Sequence, residues 1–239
     1  MRLLRRFALA SCLFILPLVY TKILPPCENK DMNCYTWVAE KPERCTEDEI
    51  VHKDCKRACG ICEGMPEVDS KYDIKSLPNH LHKVAFLLGK WRSEFGGKAR
   101  FPTMPKFTYG EQLDISYAPS TNVPMLNYTA FAWDNSDLTE LHSESGFIAG
   151  DKNSTLVSMT TVMSNGFVTV ESGNSTSHSI RFWLRNIGRL SFSRDLPVRR
   201  MLREWILLNE TFLESRVVMA TSTHPMLLHT SIIYKKIYP

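Results

Sequence analysis

The chain has 239 residues, and 29 Lys and Arg against 25 Asp and Glu give it a formal net charge of +4. This mild excess, part of which comes from arginines near the amino terminus, gives no indication of nucleic-acid binding, so no nucleic-acid partner is predicted. Six of the seven cysteines fall between Cys27 and Cys62, and none follows Cys62. The segment 27–62 is too short to bury a stabilising core without cross-links, whereas the part from residue 80 onward is long enough to fold around its own core.

The chain begins with a basic segment, Met1–Arg6, followed by a mostly apolar run from Phe7 to Tyr20. A basic start and an apolar run of this length are typical of a secretory signal peptide, and the run is short for a helix that spans hydrocarbon. We therefore predict a signal peptide over residues 1–26, no stable membrane span, and a secreted, extracellular protein. Because no Ala-x-Ala cleavage site follows, an uncleaved signal anchor is the alternative.

Four Asn-x-Ser/Thr triplets indicate the same compartment, since such triplets accept N-linked glycans in secreted proteins. The predicted glycosylation sites are Asn127, Asn153, Asn174 and Asn209. Glycans at these positions require all four side chains to face solvent.

The cysteines of residues 27–62 follow the spacing C-x6-C-x10-C-x9-C-x3-C-x2-C. Six cysteines allow fifteen pairings, and the spacing alone does not choose among them. Thiolates at the last two spacings also suit zinc, but an oxidising compartment favours disulfides.

This segment, with its terminal C-x3-C-x2-C, resembles the ShKT domain, a small toxin-like module. The resemblance implies the disulfides Cys27–Cys62, Cys34–Cys55 and Cys45–Cys59. Toxin members block potassium channels with a Lys-Tyr pair between the third and fourth cysteines, whereas this chain has a lone Lys53 there and no tyrosine after it. The resemblance therefore indicates an accessory module that tethers an extracellular protein partner, and not a channel blocker.

Residues 63–79 contain two prolines, several charges and no periodicity, which predicts a linker that lets the flanking domains move independently. From residue 80 to 239, short runs rich in β-branched and aromatic residues alternate with turn signals, which predicts an all-β sandwich or closed antiparallel barrel. A short helix or turn leads into a strand at Gly89–Trp91. The other predicted strands are Gln112–Ala118, Met125–Trp133, Ser154–Met163, Phe167–Glu171, Ser179–Leu184, Leu202–Leu208, Glu214–Ala220 and Leu228–Ile237.

The β region contains no cysteine, no recognisable nucleophile motif and no phosphate-binding loop, and its histidines are scattered along the sequence. His229 lies in the last predicted strand. Strict alternation groups it with Ser231 and Ile233, and groups Thr230 with Ile232, but both rows are largely apolar and do not show which faces inward. A histidine in such a strand is usually held by hydrogen bonds, although a neutral imidazole in a dry cavity also suits axial ligation of haem iron.

Four motifs follow one another in the order of a known family. They are Gly89-Lys-Trp91, the run from Phe101 to Glu111 (FPTMPKFTYGE), the run from His142 to Phe147 (HSESGF), and the tail from Thr223 to His229 (THPMLLH). Together they resemble the nitrobindin family, and within it the C-terminal domain of animal THAP-type zinc-finger proteins. The resemblance covers residue 81 to the last residue and implies a ten-stranded antiparallel, lipocalin-like barrel that binds haem b near one mouth.

The resemblance also implies roles for four residues. His229 falls on the axial iron ligand, Thr103 on a haem-contacting threonine, His142 near the pocket edge, and Arg194 where many members carry a lysine that can approach a propionate. Structural interpretations stand beside these: Thr103 follows a proline turn, His142 packs in the wall, and the seven arginines from Arg181 to Arg203 form a solvated face.

The first motif departs from the family pattern G-x-W-x-G-x-G, because Ser93 and Phe95 replace two of its glycines. The departure puts close backbone approach to the haem in doubt at this point. Trp91 and Phe147 are assigned to core packing.

Three functions are considered. The first is what the resemblance to the nitrobindin family implies, a secreted barrel that binds nitric oxide, or isomerises peroxynitrite to nitrate, at a His-ligated ferric haem b. An apolar distal wall is expected there and disfavours peroxidase chemistry, which needs distal acid–base groups. The second is a non-catalytic carrier of haem or another apolar ligand. The third is an extracellular interaction protein that acts through its ShKT module.

Overall fold

The computed structural model describes residues 27–64, 67–119, 122–193 and 195–239. The predicted signal peptide, residues 1–26, lies outside the described residues. The chain folds as a disulfide-linked helical module followed by a β-barrel. No helix in the described part of the chain is both long and apolar enough to cross a bilayer.

The module contains four short helices, α1 (Cys34–Glu40), α2 (Arg44–Glu47), α3 (Glu49–Asp54) and α4 (Lys56–Cys59). Asp48 begins α3, because its side chain accepts hydrogen bonds from the backbone N–H groups of Ile50 and Val51. Gly60 ends α4 in a left-handed conformation at φ 69°, which glycine adopts without strain.

The six module cysteines form three disulfides, Cys27–Cys62, Cys34–Cys55 and Cys45–Cys59. These are the same pairs that the ShKT resemblance implies. Cys34, Cys45, Cys55 and Cys59 are nearly inaccessible to solvent, so two of the three disulfides lie within the packed interior of the module. They replace the apolar core that a segment of this length cannot build.

The segment predicted to be a flexible linker is instead ordered over residues 67–79. It forms single turns at Ser70–Tyr72 and Ile74–Ser76, and the side chains of Tyr72, Ile74 and Leu77 are buried. The Tyr72 hydroxyl donates to the Asp114 carboxylate at 2.7 Å, which joins the segment to the barrel wall. The apolar residues among the charges hold this segment against the barrel, and independent movement of the two domains stays a prediction.

The β region is a closed antiparallel barrel of ten strands, which confirms the predicted fold class. The strands are β1 (Gly89–Ala99), β2 (Phe107–Ala118), β3 (Met125–Asp134), β4 (Glu140–Gly150), β5 (Leu156–Met163), β6 (Phe167–Asn174), β7 (Ser179–Arg189), β8 (Val198–Asn209), β9 (Phe212–Thr221) and β10 (Leu227–Tyr238). Each strand pairs with its neighbours in sequence, and β10 closes the barrel on β1. Of these, β4 is absent from the predicted strands.

The two ends of the barrel differ. One end, the closed end, carries the loops before β3, β5, β7 and β9, and is covered by the 3₁₀ segment Asn79–Leu87 and the cysteine module. The opposite end, the open end, carries loops 100–106, 135–139, 164–166, 190–197 and 222–226. Buried side chains of the module and of the barrel belong to one continuous core that includes Tyr35, Val38, Leu81 and Trp91.

The contact between module and barrel also includes polar groups. Arg57 Nε donates to the carbonyl oxygen of Pro239 at 3.1 Å, and the backbone N–H of Asn29 donates to Glu210. Lys236 on β10 is 3% exposed, and its Nζ lies 3.9 Å from the centre of the Tyr35 ring. Burial lowers the pKa of Lys236 well below its ordinary value. The module is therefore part of the packed structure that closes this end of the barrel.

Candidate ligand-binding cavity at the open end

A cavity of about 440 Å³ opens at the open end of the barrel. Its volume lies within the range of small-molecule sites, which runs from about 300 to 1,000 Å³. Three of the four predicted site residues, Thr103, His142 and His229, line this cavity although they are far apart in sequence. The fourth, Arg194, lies outside the described residues. Whether the three contact haem stays a prediction.

His229 reaches the cavity through an irregularity in β10. In the pairing with β9, Leu228 faces Val218 and Thr230 faces the next residue, Val217, so His229 is an extra residue at a β-bulge. A bulge turns a side chain away from the face that alternation would give it. His229 is 1% exposed, and it lines the cavity together with its neighbour Thr230.

The His229 ring is oriented by its own strand. Its Nδ1 lies 2.8 Å from the carbonyl oxygen of Leu227. Because a carbonyl oxygen only accepts hydrogen bonds, Nδ1 carries the proton and Nε2 keeps a free lone pair. The edge of the Phe101 ring packs against the imidazole at a centroid distance of 5.4 Å. A buried histidine held in this tautomer presents a nitrogen that can ligate a metal.

His142 and Thr103 occupy different parts of the cavity. Thr103 lies in the exposed loop between β1 and β2, at the rim. His142 Nε2 lies 3.1 Å from Glu144 Oε1, and the His142 side chain is 29% exposed. Burial opposes the charged imidazole, but the hydrogen bond and the charge of Glu144 outweigh burial and raise the pKa of His142.

The cavity is lined by apolar side chains and also by charged ones, which the sequence analysis does not anticipate. Arg203 lies inside the barrel, with Nη2 3.2 Å from Glu144 Oε2 and Nε 3.2 Å from Glu171 Oε2. Tyr128 donates to Glu144, and Thr169 donates to Glu171 at 2.8 Å. The expectation that the arginines from residue 181 to 203 form a solvated face is therefore wrong for Arg203, which points inward and balances two buried carboxylates.

Arg203, Glu144 and Glu171 form an ion-pair cluster that brings charge into the cavity. Burial alone raises the pKa of Glu144, but the positive charge of Arg203 and the hydrogen bond with His142 outweigh it and lower the pKa to about 2. Burial raises the pKa of Glu171 despite Arg203. No group of three or more His, Cys, Asp and Glu in the described ranges is arranged to hold a metal ion. The cluster is a proton-bearing network and not a metal site.

Glu111 is a separate acid in the cavity. Burial raises its pKa to about 7, and the Tyr234 hydroxyl donates to its Oε2 at 2.6 Å. This carboxyl group therefore changes its charge near neutral pH. The sequence gives one signal for it, since Glu111 belongs to the same motif as Thr103.

We expect Glu111→Gln to remove a pH dependence of stability. The pKa of Glu111 is raised from 4.5 to about 7 in the folded protein, so its stabilising effect is fully present below pH 4.5 and is lost as the pH rises through 7. A shift of this size corresponds to up to about 3 kcal/mol. Urea unfolding measures the free energy of unfolding of both proteins at several pH values. As the pH rises from acidic to weakly basic, this free energy should increase in the glutamine variant, relative to the natural chain, by up to this amount. A difference that stays constant with pH contradicts the assignment.

The departure in the first motif has a structural explanation. Strand β1 is irregular between Ser93 and Gly97, and Phe95 is 66% exposed on the outside of the barrel. At Gly97, a Cβ atom would lie 2.7 Å from the ring of Tyr109, so this position requires glycine. The family pattern has its last glycine two residues earlier, at the position of Phe95. Trp91 is a core residue, as assigned, whereas the assignment of Phe147 is wrong, because Phe147 is 46% exposed on the outer wall.

A closed barrel with a single-ended cavity and an inward-pointing histidine defines a small-molecule-binding β-barrel. Residues 80–236 match the THAP4-like, heme-binding beta-barrel domain, and the chain belongs to this family. The family assignment covers the barrel up to residue 236, two residues before the end of β10, and none of the cysteine module.

Individual relatives extend this picture. The Caenorhabditis elegans Uncharacterized protein C28H8.5 is 51% identical, over 91% of this chain and 76% of its own length. The Peroxynitrite isomerase THAP4 of Bos taurus is 33% identical over 156 residues, which are 65% of this chain but 26% of that protein. The Peroxynitrite isomerase Rv2717c of Arabidopsis thaliana is 29% identical, over 64% of this chain and 87% of its own length.

The fold also matches a solved structure. The crystal structure of Rv2717c from M. tuberculosis is 23% identical and covers 67% of this chain and 99% of its own, with a TM-score of 0.58. At this identity the likeness concerns the fold alone.

Proposed function

We propose that the barrel binds haem b through His229 and acts there on nitric oxide or peroxynitrite. The single observation that carries the proposal is the bulged His229, buried at the cavity wall with Nδ1 bound to the Leu227 carbonyl and Nε2 free. A neutral imidazole with this tautomer would be able to hold a haem iron. The residues present therefore fit the group.

Haem held by His229 would supply an iron that can bind a small nitrogen oxide. The chain contributes the surroundings. The Leu227 carbonyl fixes the His229 tautomer and makes Nε2 a better donor, and Phe101 limits rotation of the ring. His142 lies 3.1 Å from Glu144 at the cavity edge, and the hydrogen bond and charge of this carboxylate raise the pKa of His142. The cavity thus combines one metal-binding nitrogen with a separate acid–base pair.

The relatives support the proposal without establishing it. Two kinds of relative carry the name peroxynitrite isomerase, and both align with the barrel of this chain. The chain spans about a quarter of the length of the THAP4 relatives, so the activity of those whole proteins is carried over as a proposal only. Isomerisation of peroxynitrite to nitrate is the reaction that we propose for this barrel.

We also propose that the protein is secreted and that residues 27–62 form a ShKT module. The basic and apolar start of the chain, the six paired cysteines and the four glycosylation triplets support export. All four asparagines of these triplets are exposed, as attached glycans require. The module packs tightly against the closed end, which favours an accessory role over that of a freely moving binding domain.

We expect hemin titration to give a Soret band in the natural chain, and His229→Ala to weaken hemin binding by about tenfold or more. The estimate follows from the cost of about 10–100-fold for losing even an outer partner of a metal ligand. His178→Ala is the matched control, because His178 lies at the closed end between β6 and β7 and does not line the cavity. Its titration should equal that of the natural chain.

Absence of a Soret band in the natural chain, or an unchanged spectrum in His229→Ala, contradicts haem binding at this residue. Stopped-flow measurement of peroxynitrite decay then tests the activity. Faster decay than with free hemin supports the isomerase. Hemin binding without acceleration favours the carrier function instead.

A further inference from the structure

The four glycosylation triplets are confined to one end of the barrel. Asn127 is the third residue of β3, Asn153 lies between β4 and β5, and Asn174 and Asn209 are the last residues of β6 and β8. All four positions belong to the closed end, and all four side chains are exposed. Glycans attached there extend away from the cavity mouth, which leaves the open end uncovered.

The open end carries large apolar side chains that point into solvent. Phe192, in the loop between β7 and β8, is 79% exposed, and Met104, in the loop between β1 and β2, is 50% exposed. Leu190 and Leu196 flank Phe192 and are 49% and 37% exposed. Leu190, Phe192 and Leu196 stand on one loop and Met104 stands on another, and Met104 and Leu196 also line the cavity.

The loop that carries Phe192 is held in place. Arg189 Nη2 donates to the carbonyl oxygen of Asp195 at 2.8 Å, and Ser193 Oγ donates to the carbonyl oxygen of Asn165 at 3.0 Å. Asn165 Nδ2 in turn donates to Asp195 Oδ2 at 2.8 Å. Phe192 is therefore presented to solvent by a braced loop.

Exposed cations surround the same loops. The strand ends and loops next to Phe192 and Met104 carry Arg100, Lys106, Arg189, Arg199 and Arg200. Asp195 is the acidic residue of loop 190–197, whereas Asp137 and Glu140 lie on the opposite side of the mouth, at the turn between β3 and β4. We call the described residues of loops 100–106, 190–193, 195–197 and 222–226, with the adjoining strand ends, the basic half of the open end.

We propose that the basic half of the open end docks on a lipid bilayer that contains anionic headgroups. Exposed apolar side chains on two loops, flanked by Arg and Lys, suit insertion into the interfacial region, where the cations remain among the headgroups. The positive charge of the surrounding side chains complements anionic headgroups, which favours a bilayer as the occupant. Docking in this orientation directs the cavity mouth towards the membrane and the glycosylation triplets away from it.

Vesicle co-sedimentation tests the proposal with the chain as it folds and without added haem. The probes are phosphatidylcholine vesicles with and without phosphatidylserine. We expect binding only to the phosphatidylserine vesicles, and weaker binding as salt is raised, because exposed charges are screened. Phe192→Ser combined with Met104→Ser should lower the partition coefficient by about tenfold or more, from the loss of two buried apolar side chains. Arg199→Gln combined with Arg200→Gln should lower it by about fivefold per charge.

Val123→Ser is the matched control, because Val123 is a 54% exposed apolar residue on a closed-end loop. Its partition coefficient should equal that of the natural chain. The proposal is overturned if the natural chain does not bind phosphatidylserine vesicles, or if Val123→Ser weakens binding as much as the open-end variants do. Capture of a protein through Phe192 in vesicle-free medium, together with no vesicle binding, would assign this face to a protein partner and also overturn it.

Discussion

Arg203→Met is expected to lower the free energy of unfolding by about 3–5 kcal/mol. Arg203 is 5% exposed and balances the carboxylates of Glu144 and Glu171 inside the barrel. Methionine has a similar length and fills most of the space, so the loss arises from two buried carboxylates that are left without a cation. Urea unfolding at neutral pH, followed by fluorescence of the buried Trp205, measures the change.

The destabilisation caused by Arg203→Met should depend on pH. Without Arg203, the pKa values of Glu144 and Glu171 rise, and their protonated forms need no cation, so the destabilisation should be smaller at pH 5 than at pH 8. Arg181→Met is the matched control, because the Arg181–Glu204 pair lies on the outer wall with the Arg181 side chain 71% exposed. An exposed pair of this kind contributes about 0–1 kcal/mol. Equal losses in the two variants contradict the role assigned to Arg203.

Removing the Cys34–Cys55 disulfide by alanine substitution at both positions should destabilise the whole chain by about 3 kcal/mol. The sequence separation of 21 residues sets this value through the entropy of the unfolded loop. Because module and barrel share one core, we expect both to unfold in a single, shifted transition. Far-ultraviolet circular dichroism and fluorescence of the barrel tryptophans, recorded through the same urea titration, report the two parts.

Ile50→Ala is the control for this second experiment, because Ile50 belongs to the module but is 67% exposed. The free energy of unfolding of this variant should lie within about 0.5 kcal/mol of that of the natural chain. A disulfide variant whose module signal is lost while the barrel signal keeps its original midpoint would show two independent domains, and would remove the assignment of the module to the shared core.

Most of the barrel is predictable from residue patterns. Runs such as Met125–Trp133 and Leu202–Leu208 combine β-branched or aromatic residues with alternation, and they coincide with β3 and β8. The residue pattern does not predict strand β4, because no residue from Glu140 to Gly146 is β-branched or aromatic. Its place is fixed by pairing with β3 and β5, which a local pattern does not contain.

The cavity is less predictable. Alternation groups His229 with Ile233, which is 47% exposed on the outer wall, and only the bulge in β10 turns His229 inward. Arg203 carries a usable signal, because it has the same parity in β8 as the buried Trp205 and Leu207. Its charge nevertheless favours the surface, and the two carboxylates that balance it come from β4 and β6.

The sequence by itself determined the division into a cross-linked segment and a self-sufficient β domain, since cysteine content and residue alternation are local properties of the chain. The residue pattern allowed a sandwich or a closed antiparallel barrel, and the family resemblance selected the barrel and named Thr103, His142 and His229, which line the cavity. Only the tertiary structure decided that the segment after Cys62 anchors the module to the closed end, that β10 bulges at its histidine, and that the interior is charged. These features depend on which strands become neighbours and on which buried charges can neutralise one another, and both conditions arise only when distant segments pack together.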